Sequence, residues 1–238
     1  MESNAPHTYE WPRPAVTVDV VLLSLAQPEN PRSLQVLLVE RGQPPHAGSW
    51  ALPGGFVREH EDLPDAARRE LTEESGLASR FLEQVGAVGT PGRDPRGHTV
   101  TVLYVAVAAA PGLPPQASGD ARTARWFPIA ELPPLAFDHA TLLAQALQHV
   151  RRRIARSPVC FELLPAEFTL TDVQQLCEVL LGRTLDRRNF RRKLAQAGFL
   201  TPVRGSRRQG AHRPAQLFRF VSKAFARYAT RTWSLPFH

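Results

Sequence analysis

The segment from Gly55 to Leu77 constrains the fold of this chain more than any other, because it places clustered glutamates on one helix directly after a glycine turn. We predict a helix from Asp62 to Ser75, since Pro64 is tolerated in a first turn and Gly76 is a typical stop. Three carboxylates at positions i, i+3 and i+4 then share one patch of the helix surface: Glu70, Glu73 and Glu74. These like charges repel one another unless a cation neutralises them, and such oxygen ligands suit Mg²⁺ or Mn²⁺.

The opposite face of this predicted helix is apolar and would dock the helix on a core. Its stripe consists of Leu63, Ala67 and Leu71. Arg69 precedes Glu70 by one residue and Glu73 by four, so its guanidinium can pair with a glutamate and hold its rotamer. The alternative interpretation of the segment is an acidic amphipathic helix that binds no ligand.

The whole pattern resembles the Nudix box. Five residues separate Gly55 from Glu61, seven more separate Glu61 from Arg69, and every defining position through Leu77 is filled. Because so many positions are fixed within one short window, a chance match is improbable. The resemblance implies an α/β/α sandwich and a metal-dependent attack of water on a nucleoside diphosphate linked to another group.

The resemblance also implies roles for residues around the box. The three glutamates would be catalytic, and they would hold the metal ion together with the carbonyl oxygen of Gly54. Glu61 would either orient these ligands or make an outer contact to the metal. Arg69 would hold the rotamer of a glutamate, and Gly55 would let the backbone approach a phosphate closely. The base that deprotonates the attacking water is not determined by the sequence, and Glu74 is one candidate.

A loop at residues 92–97 carries two arginines around an aspartate. Arg93 and Arg96 would clamp a phosphate of the substrate near the metal, with Asp94 beside them as the second candidate base. The alternative is a turn with a local Arg–Asp pair. This loop and residues 135–139 also resemble segments of a Nudix subgroup that acts on ADP-ribose or senses it.

Other polar and aromatic residues near these segments have two interpretations each. Trp50 lies just before the glycine turn and could stack on a base, but packing beneath the turn is the favoured interpretation. For Asp138 and His139, helix capping is favoured over ligand binding.

Apolar and β-branched patterns divide the first part of the chain into strands and one further helix. Strands are predicted at residues 16–25, 34–39, 81–88 and 98–108, the first two as a hairpin. A loop is predicted at residues 112–121, another element is predicted to begin at Arg125–Pro128, and a helix is predicted at residues 142–154. We therefore expect an α+β chain, with a Nudix α/β/α sandwich at residues 1–155 and its ordered core from about residue 12.

The net charge of +7 is distributed unevenly along the chain. Residues 1–155 hold 14 arginines against 17 acidic residues, whereas residues 156–238 hold 15 basic against 5 acidic residues. This asymmetry predicts a second domain at residues 156–238 whose partner is an anion.

The second part has the element order of a small winged helix-turn-helix domain. One helix is predicted to be capped at Thr171 and to stop at Gly182, and a basic helix from Arg187 to Ala197 follows it. Two short strands then bracket a basic loop. Residues 186–194 and 210–220 also resemble the C-terminal domain of the Nudix-related regulators of NAD metabolism.

The basic residues of this part predict an interface for double-stranded DNA. Those on the helix would face the major groove and its phosphates, and those on the wing suit phosphates or the minor groove. The alternative is a solvated charged face. The predicted DNA-binding residues are Arg187, Arg188, Asn189, Arg191, Arg192 and Lys193 on the helix and Arg207, Arg208 and Arg213 on the wing. Two-fold operators and the resembled families both lead us to expect a homodimer.

The sequence does not indicate a membrane-spanning, secreted, disulfide-rich or zinc-binding protein. The longest apolar run, residues 102–110, is too short to span a bilayer, and the N-terminus lacks a signal-peptide pattern. Only Cys160 and Cys177 occur, and two cysteines form neither a disulfide framework nor a zinc site. A cytoplasmic location without membrane contact is expected.

Two functions therefore remain open at this stage. The first is a Mg²⁺-dependent hydrolase of a nucleoside diphosphate derivative, with ADP-ribose as the first substrate to test. The second is a DNA-binding repressor that senses ADP-ribose with little or no turnover. The complete set of box residues places the hydrolase first, and a protein that does both also fits the sequence.

Overall fold

A mixed β-sheet forms the centre of the first part of the chain. The computed structural model describes residues 10–27, 30–108, 115–117, 119, 121–154, 156–207 and 215–231, without the side chains of 205–207 and 227–231. The sheet contains β1 (Ala15–Leu25), β2 (Leu34–Arg41), β3 (Trp50–Ala51), β4 (Gly54–Phe56), β5 (Phe81–Val88), β6 (Thr99–Val107) and β7 (Ala121–Pro128).

Strand β1 lies at the centre of this sheet because nine of its eleven residues are buried, and most of these are apolar. It pairs antiparallel with β2, as the predicted hairpin requires, and parallel with β6. It also pairs antiparallel with β4, which brings the glycine turn against the middle of the sheet.

Two helices cover the two faces of the sheet and complete the predicted sandwich. Helix α1 (Leu63–Ser75) packs Ala66, Ala67 and Leu71 against one face. Helix α2 (His139–Arg153) packs Leu142 and Ala146 against the other. Because alternate residues of each strand point to opposite faces, one sheet supplies both cores.

The predicted box helix has the expected ends. Asp62 caps it through a hydrogen bond from the Leu63 amide, Pro64 lies in its first turn, and Gly76 ends it in the left-handed conformation at φ 68°. These local signals decide the boundaries because the helix needs partners for its terminal amides and carbonyls.

In the described residues, the second part of the chain contains four helices and a hairpin. They are α3 (Val159–Leu163), α4 (Leu170–Leu181), α5 (Arg187–Gln196), β8 (Leu200–Arg207), β9 (Ala215–Phe220) and α6 (Ser222–Arg231). The order of α4, α5, β8 and β9 is the predicted winged helix-turn-helix. Phe161 of α3 lies in a cluster of aromatic rings with Phe199, Phe220 and Phe225, and these rings form the centre of this part.

Two predictions of element bounds need correction. Residues 125–128 end a strand that starts at Ala121, because β7 pairs along the whole of β2. Helix α4 is capped by Thr169, since only this threonine forms a reciprocal capping box with Asp172. Helices α3 and α6 lack a sequence prediction. The predicted loop at 112–121 lies largely outside the described residues.

The two parts share a continuous core. Val159, Phe161 and Leu163 of α3 belong to the same buried cluster as Val21 of β1 and Leu103 of β6. Within the described ranges, no helix combines the length and apolarity needed to span a membrane.

Candidate functional site

A pocket of about 440 Å³ opens where β1, β4, α1 and the start of α2 meet. This volume is in the range of small-molecule sites. Its wall contains the predicted box residues Gly54, Gly55, Arg69, Glu70, Glu73 and Glu74 and the predicted loop residues Arg93, Asp94 and Arg96. The structure therefore brings together two segments that the sequence could only treat separately.

Arg69 organises the acidic side of this pocket. Its guanidinium donates to Glu61 at 2.6 and 2.8 Å, to Glu70 at 2.7 Å and to Glu73 at 3.1 Å, and it also donates to the Phe56 carbonyl. Hydrogen bonds from Arg69 hold the pKa of the Glu61 carboxyl well below its usual range. Glu61 and Arg69 thus occupy the orienting positions that the sequence predicted for them, and their functional role stays a prediction.

Glu74 is the most buried carboxylate of the box. Its Oε2 accepts a hydrogen bond from the Gly54 amide at 2.9 Å. Burial is the main cause that raises the pKa of Glu74 to about 8; the nearby charges of Glu70 and Asp19 contribute to this increase, and the Gly54 hydrogen bond opposes it. Burial likewise raises the pKa of Glu70, against the effect of Arg69.

Two glycines are required where the turn meets these carboxylates. A Cβ atom at Gly55 would collide with the Glu70 carboxylate, and one at Gly54 would collide with the carbonyl oxygen of Val18. Glycine therefore permits the backbone to approach both the strand and the acidic helix.

The donor set of this pocket fits a hard divalent cation. Glu70, Glu73 and Glu74 offer carboxylate oxygens. Burial, together with the charges of Glu70 and Asp19, disfavours the ionised form of Glu74, and a bound cation would offset that cost. Glu73 is bound by Arg58 at 3.1 Å and by Arg69. Among the described residues, no three His, Cys, Asp or Glu side chains converge as a ready-made metal site. The metal ligands, including Gly54, therefore stay predicted.

The arginines of the 92–97 loop face protein carboxylates. Arg93 is 6% exposed at its side chain and donates two hydrogen bonds to Asp138, at 2.8 and 3.0 Å. Arg96 pairs with Asp94 at 2.7 Å, and this hydrogen bonding lowers the pKa of Asp94. The local Arg–Asp pair proposed as the alternative is present, and binding of a phosphate by these arginines stays a prediction.

Residues outside the predicted site complete the pocket wall. The favoured capping role of Asp138 is wrong, because its side chain makes no capping hydrogen bond and instead accepts from Arg93. Asp19 of β1 is 6% exposed and lies 3.5 Å from both Arg93 and His139. His139 accepts a hydrogen bond from the Leu52 amide through Nδ1, and its burial lowers its pKa. An aspartate within a mostly apolar strand was the available signal for Asp19, since burial of a charge is unfavourable unless the charge is paired.

Aromatic rings and guanidinium groups line the mouth of the same pocket. The Arg96 guanidinium lies 5.0 Å from the centroid of Phe56, and that of Arg41 lies 4.8 Å from the centroid of Phe137. Phe137 has a φ of 50°, which is unusual for a bulky residue and marks a constrained position. Trp50 instead packs edge-on against Phe127, as the packing interpretation predicted.

The predicted DNA-binding helix presents most of its basic residues to solvent. Arg187, Arg188 and Arg192 are exposed on α5, while Phe190 and Leu194 are buried beneath it. Asp186 caps the helix through the Asn189 amide, and Asn189 accepts from Arg192 at 2.8 Å. Lys193 is half-buried.

Arg191 differs from the other cations of α5. It donates to Thr171 Oγ1 at 2.6 Å and so ties α5 to the start of α4. Its Nε has no hydrogen-bond partner among the described residues, and burial lowers its pKa. On the wing, the side chain of Arg207 and all of Arg208 and Arg213 lie outside the described residues.

Two family profiles match this chain. Residues 13–146 match the NUDIX domain, and residues 160–220 match the NrtR DNA-binding winged helix domain. An ADPR responsive transcriptional repressor, NtrR, from Acinetobacter baylyi is 35% identical over 233 residues, which cover 96% of this chain and 91% of that protein. An ADP-ribose pyrophosphatase from Methanocaldococcus jannaschii is 36% identical over 130 residues, which cover 55% of this chain and 71% of that protein.

The solved structures of one protein match both parts. Shewanella oneidensis NrtR complexed with a 27mer DNA is 35% identical with a TM-score of 0.74, covering 90% of this chain and 96% of that one. The NUDIX domain of the same protein complexed with ADP ribose is 35% identical, with a TM-score of 0.53. This match covers 59% of the present chain and 90% of that one. The present chain therefore belongs to the Nudix family and carries a C-terminal winged helix domain of the NrtR type.

Proposed function

We propose that this protein is an ADP-ribose-responsive repressor. Its winged helix domain binds double-stranded DNA, and the pocket of its Nudix domain binds the nucleotide. The ligand is inferred from the Acinetobacter baylyi repressor and from the Shewanella oneidensis domain complexed with ADP ribose. The DNA partner is inferred from the structure of the same Shewanella protein with a 27mer.

The observation that carries this proposal is that one helix connects the two sites. Helix α2 begins at His139 in the pocket wall, next to Asp138, which is bound to Arg93. In its last turn, Arg151 Nε donates to the carbonyl oxygen of Leu180, near the end of α4, at 2.7 Å. A ligand that moves the start of α2 therefore has a continuous path to the helices that bind DNA.

Regulation now ranks ahead of hydrolysis, the reverse of the order that the sequence indicated. The match to a repressor covers 96% of this chain, whereas the match to a pyrophosphatase covers 55%. The box residues alone cannot separate the two functions, because sensing and turnover use the same pocket. We keep the predicted division after residue 155, the homodimer and a cytoplasmic location as parts of this proposal.

The central test measures DNA binding and nucleotide binding as linked equilibria. Duplexes selected from a random library by the full chain would be labelled and titrated by fluorescence anisotropy, with and without ADP-ribose. We expect ADP-ribose to weaken DNA binding and saturating DNA to weaken ADP-ribose binding by the same factor, because linkage is reciprocal. Ribose 5-phosphate serves as the ligand control. Unchanged DNA affinity at saturating ADP-ribose would refute the proposal.

A Mg²⁺-dependent hydrolysis of ADP-ribose is the second candidate, favoured by the complete set of box carboxylates. A divalent ion, Mg²⁺ or Mn²⁺, would neutralise charge on the diphosphate in the transition state. Glu70, Glu73 and Glu74 would hold it, with Arg69 fixing the rotamers of Glu70 and Glu73. Either buried Glu74 or Asp94 would accept the proton of the attacking water.

The turnover test compares two conservative variants. Glu74→Gln should abolish release of AMP from ADP-ribose with Mg²⁺, whereas Glu59→Gln should not, since Glu59 is exposed on the turn before the box helix. Thermal unfolding checks that both variants fold. If wild type and Glu74→Gln release AMP equally, the assignment of Glu74 is wrong. If wild type releases none, hydrolysis of ADP-ribose is excluded.

A further inference from the structure

The floor of the pocket contains polar groups whose hydrogen-bonding capacity is not used within the protein. Thr17 and Asp19 lie two residues apart on β1 and therefore point to the same face of the sheet. Both line the pocket. Thr17 Oγ1 is buried and has no hydrogen-bond partner in the part of the chain that the structure describes. A buried hydroxyl in this state needs an explanation, and a bound ligand provides one.

The carboxylate of Asp19 is held only loosely by its neighbours. It lies 3.5 Å from a guanidinium nitrogen of Arg93 and 3.5 Å from Nε2 of His139. Good N–H···O hydrogen bonds are about 2.9 Å long, so both contacts leave oxygen lone pairs available. Because Asp19 is 6% exposed, a ligand in the pocket is the group that can reach them.

His139 offers a donor beside this acceptor. The Leu52 amide donates to Nδ1 at 2.9 Å, so Nδ1 carries no proton. The neutral ring must then carry its proton on Nε2, which lies on the Asp19 side. The tautomer is thus determined by a backbone hydrogen bond, and the pocket floor presents a fixed donor next to a fixed acceptor.

We propose that Thr17, Asp19 and His139 form a subsite for ribose hydroxyl groups of the nucleotide. A hydroxyl donates to Asp19 and accepts from Nε2–H of His139, and its vicinal neighbour pairs with Thr17 Oγ1. The inference rests on the proposed function and extends it to the recognition of one part of the ligand. A second metal ion is disfavoured at this place, since the Arg93 cation already lies against Asp19.

The test uses two threonines that differ only in their access to the pocket. Thr101 lies opposite Thr17 in the β1–β6 register, and its Oγ1 also has no partner among the described residues, but it is fully buried and outside the pocket lining. Thr17→Val and Thr101→Val thus make the same chemical change. Affinities for ADP-ribose, ADP and pyrophosphate would be measured by calorimetry with Mg²⁺ present.

We expect Thr17→Val to weaken ADP-ribose binding about fivefold to tenfold, as one lost hydrogen bond does, and Thr101→Val to leave it unchanged. Pyrophosphate binding should not change in either variant, because pyrophosphate has no ribose. The ADP affinity of Thr17→Val shows which ribose is bound. If it is unchanged, the subsite binds the distal ribose of ADP-ribose. If it falls by the same factor as the ADP-ribose affinity, the subsite binds the ribose of adenosine.

Asp19→Asn provides a second test, in which the affinities for the same three ligands are measured. The substitution removes the carboxylate charge and keeps the size of the side chain. It should weaken ADP-ribose binding and spare pyrophosphate. An ADP-ribose affinity equal in Thr17→Val and Thr101→Val would overturn the subsite while the proposed function stands. An equal loss for pyrophosphate in both Thr17→Val and Asp19→Asn would overturn it in favour of a metal contact. A wild-type protein that does not bind ADP-ribose would overturn the proposed function and the subsite together.

Discussion

Arginine has opposite roles in the two functional regions of this molecule. In the pocket, Arg93 is 6% exposed and lies between the carboxylates of Asp138 and Asp19. On α5, Arg187 and Arg188 face solvent. A buried ion pair is strong but costly to break, whereas exposed charges act over distance and are screened by salt. Burial, more than residue type, therefore separates the arginines that stabilise the fold from those that face solvent.

Removal of Arg93 should have the largest effect. Arg93→Ala leaves Asp19 and Asp138 without their counter-charge in a buried site, which should lower the free energy of unfolding by about 3–5 kcal/mol. Urea denaturation followed by circular dichroism would measure this loss. The result would show that the pocket is built on this ion network.

The matched control for this variant is Arg96→Ala. Arg96 also pairs with an aspartate in the same loop, but its side chain is 43% exposed. The loss of stability should therefore be less than half of that for Arg93→Ala. Equal losses of stability in the two variants would contradict this prediction, because burial would then not determine how much each arginine contributes to the fold.

An ion network of intermediate burial lies at the junction between the two parts of the chain. Glu83 of β5 forms an ion pair with Arg153 at 2.8 Å and accepts a hydrogen bond from Ser157 at 2.9 Å, and it lies 2.8 Å from His149 Nε2. Its side chain is 19% exposed. Glu83 thus connects a sheet strand with the end of α2 and the segment that follows it.

Glu83→Gln should lower the free energy of unfolding by about 1–3 kcal/mol, because the charged acceptor of several partners is lost. The control is Glu167→Gln, which removes an exposed pair with Arg219 and should cost at most about 1 kcal/mol. Thermal and urea unfolding of both variants would compare them. If Glu167→Gln lowers the free energy of unfolding as much as Glu83→Gln does, then burial does not determine how much these ion pairs contribute to stability.

The sequence predicted those features that depend on local signals. The ends of α1 follow from Asp62, Pro64 and Gly76, and the buried face of α5 follows from the spacing of Phe190 and Leu194. A local signal can still mislead when two similar residues compete, as with the caps of α4, because only the geometry of the capping box distinguishes them.

The pocket floor could not be predicted, because its contacts join residues that are distant in the sequence. Leu52 and His139 are 87 residues apart, and Arg93 and Asp138 are 45 apart. Such partners are determined by the order of strands in the sheet, which no short motif encodes. Arg93 lies in the pocket lining, and its predicted contact with a phosphate stays a prediction, but the sequence did not identify the carboxylates that bind it.

The smallest expected effect concerns the exposed cations of α5. Arg188→Ala should weaken binding to every selected duplex by a similar factor, about 1 kcal/mol, and reduce the slope of log affinity against log salt by about one. This follows because an exposed guanidinium that meets a phosphate releases one counterion. Arg68→Ala, an exposed arginine on the Nudix helix α1, should change neither quantity. If Arg188→Ala lowers protein stability but leaves the salt slope unchanged, then Arg188 stabilises the fold as Arg93 does. Exposure would then not distinguish the arginines of α5 from those of the pocket.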